Sequence, residues 1–195
     1  MDCMNSDDNP ISNDPFALVD PQLWLITSAF QNHRSGLIAT FVTKASIVPD
    51  CPRFVIGLAR QHETCRLIKE SGSCVLHLFS REQTHWVERF GVPSGSQTDK
   101  FQSTSTQTIK TGAPVLSDAI CAFDCQVEQS WETGDRILFL LQVVGVKMLN
   151  PGTPLRFTQM WNTASTELRQ TLSVLLVRDQ QIDRQAILKW REEAE

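Results

Sequence analysis

The chain has 195 residues, 41% of them hydrophobic, and a formal net charge of -4, which fits one folded domain with a substantial core and excludes a disordered chain. No apolar run reaches the roughly 20 residues of a membrane span, and the start lacks the basic and apolar regions of a secretory leader, so a cytoplasmic protein away from membranes is expected. Residues 1–20 hold five Asp (Asp2, Asp7, Asp8, Asp14, Asp20) and no Lys or Arg, and the nearly neutral remainder offers no basic stripe to follow a nucleic-acid backbone, which excludes a nucleic-acid binder.

Residues 1–14 are polar and contain Pro10, as expected of a disordered acidic tail. Phe16–Asp20 reads as a short helical or docking element. Strands are predicted at 22–30, 36–43 and 53–60, the first two forming a hairpin through a turn at Gln31–Ser35. His62–Ser71 reads as a helix, with Cys65 and Ile68 on its buried face and Gly72 as its stop. A strand, Cys74–Phe79, leads to Ser80 and Gln83, which have capping-box spacing. The helix they introduce carries an apolar stripe of Trp86, Val87 and Phe90, and Gly91 and Pro93 end it. Residues 91–110 form a Ser-, Thr- and Gln-rich loop too long for a plain connector.

Ala119–Glu128 alternates, with Cys121, Phe123, Cys125 and Val127 on one face and Ala122, Asp124, Gln126 and Glu128 on the other. Gly134-Asp135 marks a turn into a long strand, Ile137–Leu149, kinked at Gly145. Pro151, Gly152 and Pro154 break that strand, and a short one is expected at Leu155–Gln159. From residue 161 onward, Leu168, Leu172, Leu175 and Leu176, then Ile187, Leu188 and Trp190, have helical spacing. They predict one or two amphipathic helices, with Asp183 capping the last. The whole reads as a mainly β domain at 15–160, a barrel of mostly antiparallel strands decorated by helices, followed by C-terminal helices at 161–195.

The six cysteines (3, 51, 65, 74, 121, 125) make no CxxC pair, and the four His (33, 62, 77, 85) do not gather with them. A zinc site is therefore not expected, and Cys121 and Cys125 read as small core residues in a reducing compartment. The chain also lacks a GxSxG elbow, a GxGxxG loop and a P-loop.

The most informative stretch is Leu23–Ala59. Between its second and third strands lies a run of small and hydroxyl residues with one lysine, Ala39 to Ser46, followed by Pro49 and Pro52. Backbone N–H groups, hydroxyls and an ammonium suit an anion, and an adjoining apolar strand pair suits a flat aromatic group. A phosphate beside a flat ring describes a mononucleotide such as a flavin. Thr43, Lys44 and Ser46 are the phosphate candidates; a solvated turn accounts for the same residue types, and from the residues alone it leads.

The run GLIATFVTKASIVPDCPRFVIGLA (36–59), the helix HETCRLIKESG (62–72), the strand and helix CVLHLFSREQTHWVERFG (74–91) and the segment GAPVLSDAICAFDCQVEQSWETGDRILFLLQVVGV (112–146) follow one another in an order that resembles the flavin reductase-like FMN-binding domain family. The resemblance spans Leu23 to Thr158. It implies an FMN-binding split β-barrel, a homodimer with flavin at the subunit interface, and flavin reduction by NAD(P)H. FMN, or FAD in its place, would be the cofactor, with Thr43, Lys44 and Ser46 on the phosphate and Ala39, Thr40 and Phe41 beside the ring, although ordinary strand packing explains Phe41 equally well. Arg60 and Thr64, at a helix start that favours anions, are further phosphate candidates; Arg60 equally suits a surface pair with Glu63. No catalytic side chain is implied, because the flavin does the chemistry.

Two departures stand out. The family's Gly-Asp turn usually continues with His, and here Arg136 follows, able to pair with a phosphate. The terminal helices are extra, suited to cover the flavin or extend the dimer. The alternatives are an FMN electron carrier of the flavoredoxin type, taking electrons from or passing them to a protein partner, and a split-barrel binding domain that has lost flavin.

Overall fold

The computed structural model describes residues 15–92 and 99–193; the tail expected at 1–14, and Pro93, lie outside them. A 3-10 turn, Pro15–Leu18, precedes β1 (Trp24–Phe30) and β2 (His33–Ala39). These strands pair antiparallel from Trp24↔Ala39 to Phe30↔His33. The turn is therefore only Gln31-Asn32, with Gln31 at φ 53°, shorter than the expected Gln31–Ser35. His33 and Arg34 are exposed although they are strand: a hairpin tip projecting into water carries polar residues just as a loop does.

The strand predicted over 36–43 is two strands. β2 stops at Ala39, the chain turns at Thr40-Phe41, and β3 (Val42–Lys44) pairs with β4 (Arg53–Ala59). After β4 come α1 (Glu63–Ser71), β5 (Ser73–Leu78), a 3-10 turn at Arg81–Gln83, α2 (His85–Gly91), the short β6 (Thr106–Gln107) and β7 (Val115–Leu116), the long hairpin β8 (Cys121–Glu132) and β9 (Arg136–Met148), then α3 (Phe157–Thr163) and α4 (Thr166–Glu193). The main sheet runs β2-β1-β5-β8-β9-β4-β3. The Thr40-Phe41 corner thus carries the chain from one edge of the sheet to the other, which curls seven antiparallel strands into a half-barrel.

Local signals act where the sequence placed them. Gly72 ends α1 at φ 66°, its N–H donating to Ile68 O. Ser80 and Gln83 form the capping box, the Ser80 N–H donating to Gln83 Oε1 at 2.7 Å, and the Ser80 hydroxyl also donates to Glu82 Oε2 at 2.5 Å. The kink at Gly145 is a β-bulge: Asp124 pairs with Gly145 and Cys125 with Val143, leaving Val144 unpaired. A Cβ on Gly145 would lie 2.8 Å from Ile109 Cγ2, so a larger residue there would displace the Ile109 side chain.

Two cores result. The barrel interior packs Trp24, Ile26, Phe54, Ile56, Leu76 and Phe139, with α1 contributing Cys65 and Ile68. The aromatics Trp24, Phe54 and Phe123 meet with centroids 5.3 to 6.1 Å apart, Phe54 making edge contacts with both others, worth about 1 kcal/mol each. The second core, outside β1, packs Leu23, Leu25, Phe79, Trp86, Phe90 and Met160 beneath α2 and α3.

Two expectations are corrected, and a third is borne out with an addition. Leu155–Gln159 is not a strand: beyond the isolated pairing of Arg156 with Gln22, the chain enters α3 at Phe157. Phe157 and Trp161, one helical turn apart, stack at 5.8 Å and pack on the second core. Asp183 does not cap a helix. With no Gly or Pro between 166 and 193, α4 runs on as one helix and places Asp183 in its interior. Asp124 does alternate away from the barrel interior, but it faces a loop and is fully buried.

Candidate functional site

The strand register defines a second, outward face on the β3, β4, β9 side. Thr43 pairs with Val55, Val55 with Leu140, Gly57 with Leu138 and Ala59 with Arg136, and Leu138 with Trp131. Directly paired residues share a face. Ile56, Leu58, Phe139 and Leu141 point into the barrel, so the intervening residues point out. Phe41 joins them opposite Gly57, whose N–H donates to Phe41 O at 2.9 Å.

This outward face is apolar and open. Phe41 is 57% exposed and Trp131 46%, at the two ends of a row Phe41, Gly57, Leu138, Trp131 that crosses four strands. Val55, Leu138 and Leu140 are half-buried. Gly57 deepens the row: a Cβ there would stand 3.2 Å from Leu138 Cδ2 and 3.5 Å from Phe41 Cβ. Such a face accepts a flat ring system, and a side chain at Gly57 would begin to fill it.

The sequence candidates gather at its margins. Ala39 is buried at the end of β2, Thr40 is half-buried at the corner, and Thr43 and Lys44 are exposed on β3. None of the ion pairs among the described residues engages Lys44. Ser46 follows in the β3–β4 loop, where its Oγ accepts the Val48 N–H at 3.0 Å and keeps its own O–H free to donate. Phe41 and Thr43 lie on the outward face, and Lys44 and Ser46 follow along the same sheet edge, Lys44 in register with the inward-pointing Phe54.

The other candidates have partners already. Arg60 pairs with Glu132 at 3.1 Å, not with Glu63, which binds Arg66. Thr64 is buried, and its hydroxyl donates to Ser35 Oγ at 3.0 Å, tying α1 to β2. Arg136 has three neighbours: Asp183 of α4 at 2.7 Å, Asp135 at 3.3 Å, and the Phe41 ring, whose centroid lies 4.9 Å from its guanidinium carbon. His62 sits half-buried at the start of α1 beside this cluster. Burial lowers its pKa, and the charge of Asp179 opposes that shift.

The sheet's outward face on the β1, β5, β8 side is closed. Residues 109–116 cross it, held by one polar side chain from each strand. Thr27 donates to Pro114 O at 2.5 Å. His77 Nε2 accepts the Leu116 N–H at 3.1 Å, which leaves Nδ1 to donate to Leu25 O at 3.0 Å; burial pushes the His77 pKa down to about 4. Asp124 accepts from Lys110 N–H at 2.6 Å, Thr111 N–H at 2.9 Å and the Thr111 hydroxyl at 2.5 Å. Ala113 and Val115 pack below on Val75 and Ala122. Nearby, Lys100 Nζ donates to Gly36 O and Phe90 O at 2.9 and 2.8 Å, and burial lowers its pKa to about 8. A cleft of about 440 Å³ at the β1–β2 tip, lined by Gln31, Asn32, Arg34 and Gln107 among others, contains none of the candidate residues. Its Arg34 is held by Asp99 at 3.1 Å.

Residues 19–161 match the family model of the flavin reductase like domain. The chain belongs to that family. It is 29% identical over 114 residues to the FMN reductase (NADH) RutF of Acinetobacter baylyi, covering 58% of this chain and 59% of that one. It is 28% identical over 126 residues to diflavin flavoprotein A 1 of a Synechocystis species, covering 62% of this chain but only 21% of that much longer protein. The fold is that of the FMN-binding protein from Thermus thermophilus, with a TM-score of 0.67 at 20% identity, over 80% of this chain and 91% of that one. The chain is thus a split barrel with α4 wholly beyond the matched region. The described residues hold no cluster fit for a metal ion and no helix long and apolar enough to cross a membrane.

Sequence reasoning missed Val55, Leu138, Leu140 and Trp131. The signal was present in Ile137–Leu141, an unbroken apolar run in an antiparallel strand, which means that both faces have something to cover.

Proposed function

We propose that this protein is an NAD(P)H-dependent flavin reductase that holds FMN against the outward face of β3, β4 and β9, as a homodimer in the cytoplasm. The observation that carries the reading is the open row Phe41, Gly57, Leu138, Trp131 with Thr43, Lys44 and Ser46 along one edge. Lys44 supplies a point charge and Thr43 and Ser46 supply hydroxyl donors, which is sufficient for a terminal phosphate. The backbone of Ala39–Phe41, at a corner with small side chains on one side, is placed to approach the ring closely. Phe41, Leu138 and Trp131 keep water from the ring face they cover. Bound FMN supplies the ring nitrogen N5 that accepts a hydride, and the protein supplies binding, orientation and electrostatics. FAD meets the same determinants.

An open sheet face covers one side of a ring. A second copy of the chain supplies the other wall in this reading, and the exposed Ile47, 97% accessible, and Val48 beside it give the β3–β4 loop an apolar surface for that contact. In this reading the flavin domain spans 15–160, and the described C-terminal helices, the end of α3 and α4 through Glu193, pack on it.

One observation favours a second reading, an FMN electron carrier served by a partner protein: Arg136 stands where the family usually has His, and Asp183 occupies it. Rapid mixing of the FMN-loaded protein with NADH or NADPH separates the two. Loss of the flavin's visible absorbance within seconds supports the reductase; a flavin stable to both donors but bleached by a reduced carrier protein supports the second reading. A protein that binds neither FMN nor FAD sinks both.

A further inference from the structure

Arg136 lies on the open face, whereas Lys44, paired with the inward-pointing Phe54, leaves the edge strand β3 on the other face and reaches a phosphate around that edge. Lys44 pairs with Phe54 and Arg136 with Ala59, five residues apart on β4, or roughly 17 Å at about 3.4 Å per residue. One FMN phosphate engages one of these cations. The end with free hydroxyls is Lys44, which leaves Arg136 for a second phosphate-bearing ligand.

Helix α4 holds that second end shut, and its own hold is slight. No residue of its 28 is fully buried. Its N-terminal half is anchored through Leu172 to the second core. Its C-terminal half passes the β8–β9 turn so closely that a Cβ on Gly134 would stand 2.9 Å from Trp190 Cβ and 3.0 Å from Ala186 O. Two acids, Asp179 and Asp183, interrupt the inward face that Leu172 and Leu175 begin and Ile187 continues. Asp183 Oδ2 grips Arg136 at 2.7 Å, but its other oxygen, Oδ1, is buried with no hydrogen-bond partner among the described residues. The closed pair therefore leaves a carboxylate oxygen unsatisfied, and release returns it to water.

We propose that α4 is a latch on the donor end of the flavin site, in which Asp183 occupies Arg136 until the pyrophosphate of an incoming dinucleotide donor replaces it. The inference rests on the reductase reading for the identity of the donor, but the latch itself does not. Asp183 reaches only the Nη2 end of the guanidinium, while Asp135 sits 3.3 Å from Nε; a phosphate group presents several oxygens to the planar guanidinium and replaces the single Asp183 oxygen with a bidentate contact. Apparent donor affinity is then the intrinsic affinity reduced by the open fraction, so neutralising Asp183 strengthens it.

The test uses the full chain as wild type, Asp183→Asn and Asp183→Glu. Amide hydrogen exchange of residues 180–193 is followed with and without inorganic pyrophosphate, against sodium chloride of matched ionic strength. The latch predicts that exchange in the wild type rises about tenfold with pyrophosphate, that Asp183→Asn exchanges fast in either condition, and that Asp183→Glu behaves as wild type. Unchanged wild-type exchange with pyrophosphate, or an Asp183→Asn helix as protected as the wild type, overturns it whatever the flavin chemistry. In turnover, Asp183→Asn lowers the KM for NADH about tenfold with kcat held, and leaves the KM for a phosphate-free dihydronicotinamide donor unchanged. An equal fall for both donors overturns the role of the pyrophosphate. Absence of any NADH oxidation by FMN-loaded wild type counts against the reductase reading alone, and the exchange arm still decides the latch.

Discussion

The sheet has two outward surfaces built on opposite principles. Over β1, β5 and β8, Thr27, His77 and Asp124 reach out of three neighbouring strands and bind the backbone of one loop, and every polar group named there has its partner. Over β3, β4 and β9, the strands present Val55, Gly57, Leu138 and Leu140 with none of the described residues stapled across them. The first surface specifies structure, because a buried polar group fixes one arrangement when fully bonded and is costly when not. The second leaves apolar area to be covered by something that comes and goes.

Breaking the closed side has the largest effect. Asp124→Ala orphans two backbone donors and a hydroxyl, and denaturant unfolding is expected to lose on the order of 4 kcal/mol, while flavin affinity of the folded fraction stays the same. A comparable loss of flavin binding would merge the two surfaces into one.

His77 sharpens the comparison through pH. Its folded pKa, about 4, lies below the ordinary histidine value of 6.5, so between these values the unfolded chain binds the extra proton. The stability contributed is whole above pH 6.5 and falls as pH drops toward 4, by about 3 kcal/mol in all. Denaturant midpoints measured across that window should show this slope, and His77→Gln should flatten it.

On the open side the effects are on binding. Lys44→Ala is expected to weaken FMN about tenfold, or about 1.4 kcal/mol, with riboflavin unaffected and the unfolding free energy within about 0.5 kcal/mol of wild type. Trp131→Ala is expected to weaken FMN and riboflavin alike, by about fivefold. Isothermal titration with both flavins checks the pair. A phosphate-dependent effect of Trp131, or a phosphate-independent effect of Lys44, would reverse the roles assigned to them.

What the sequence made legible was local. Gly72, the Ser80 to Gln83 spacing, the Gly145 kink and the Gly134-Asp135 turn each act within a few residues, and the structure has each in place. What escaped was set by pairing at long range. The edge-to-edge corner at Thr40-Phe41 depends on where β2 and β3 end up in the sheet. Alternation put Asp124 on the outward face, but only a loop folding back from residues 109–112 makes that face an interior. Likewise Asp183 reads as a cap from its residue type, and only the passage of α4 over Arg136 gives it an ion pair. The phosphate edge, Thr43 to Ser46, was nominated from composition and family resemblance; its ring-facing neighbours on β9 required the register.

Amide hydrogen exchange of the whole chain, with and without saturating FMN, locates the flavin on the sheet. New protection is expected at 39–46, 55–57 and 136–140, with residues 109–116 unchanged. Protection confined to 109–116 or to the cleft at the β1–β2 tip, or none anywhere, would contradict that placement.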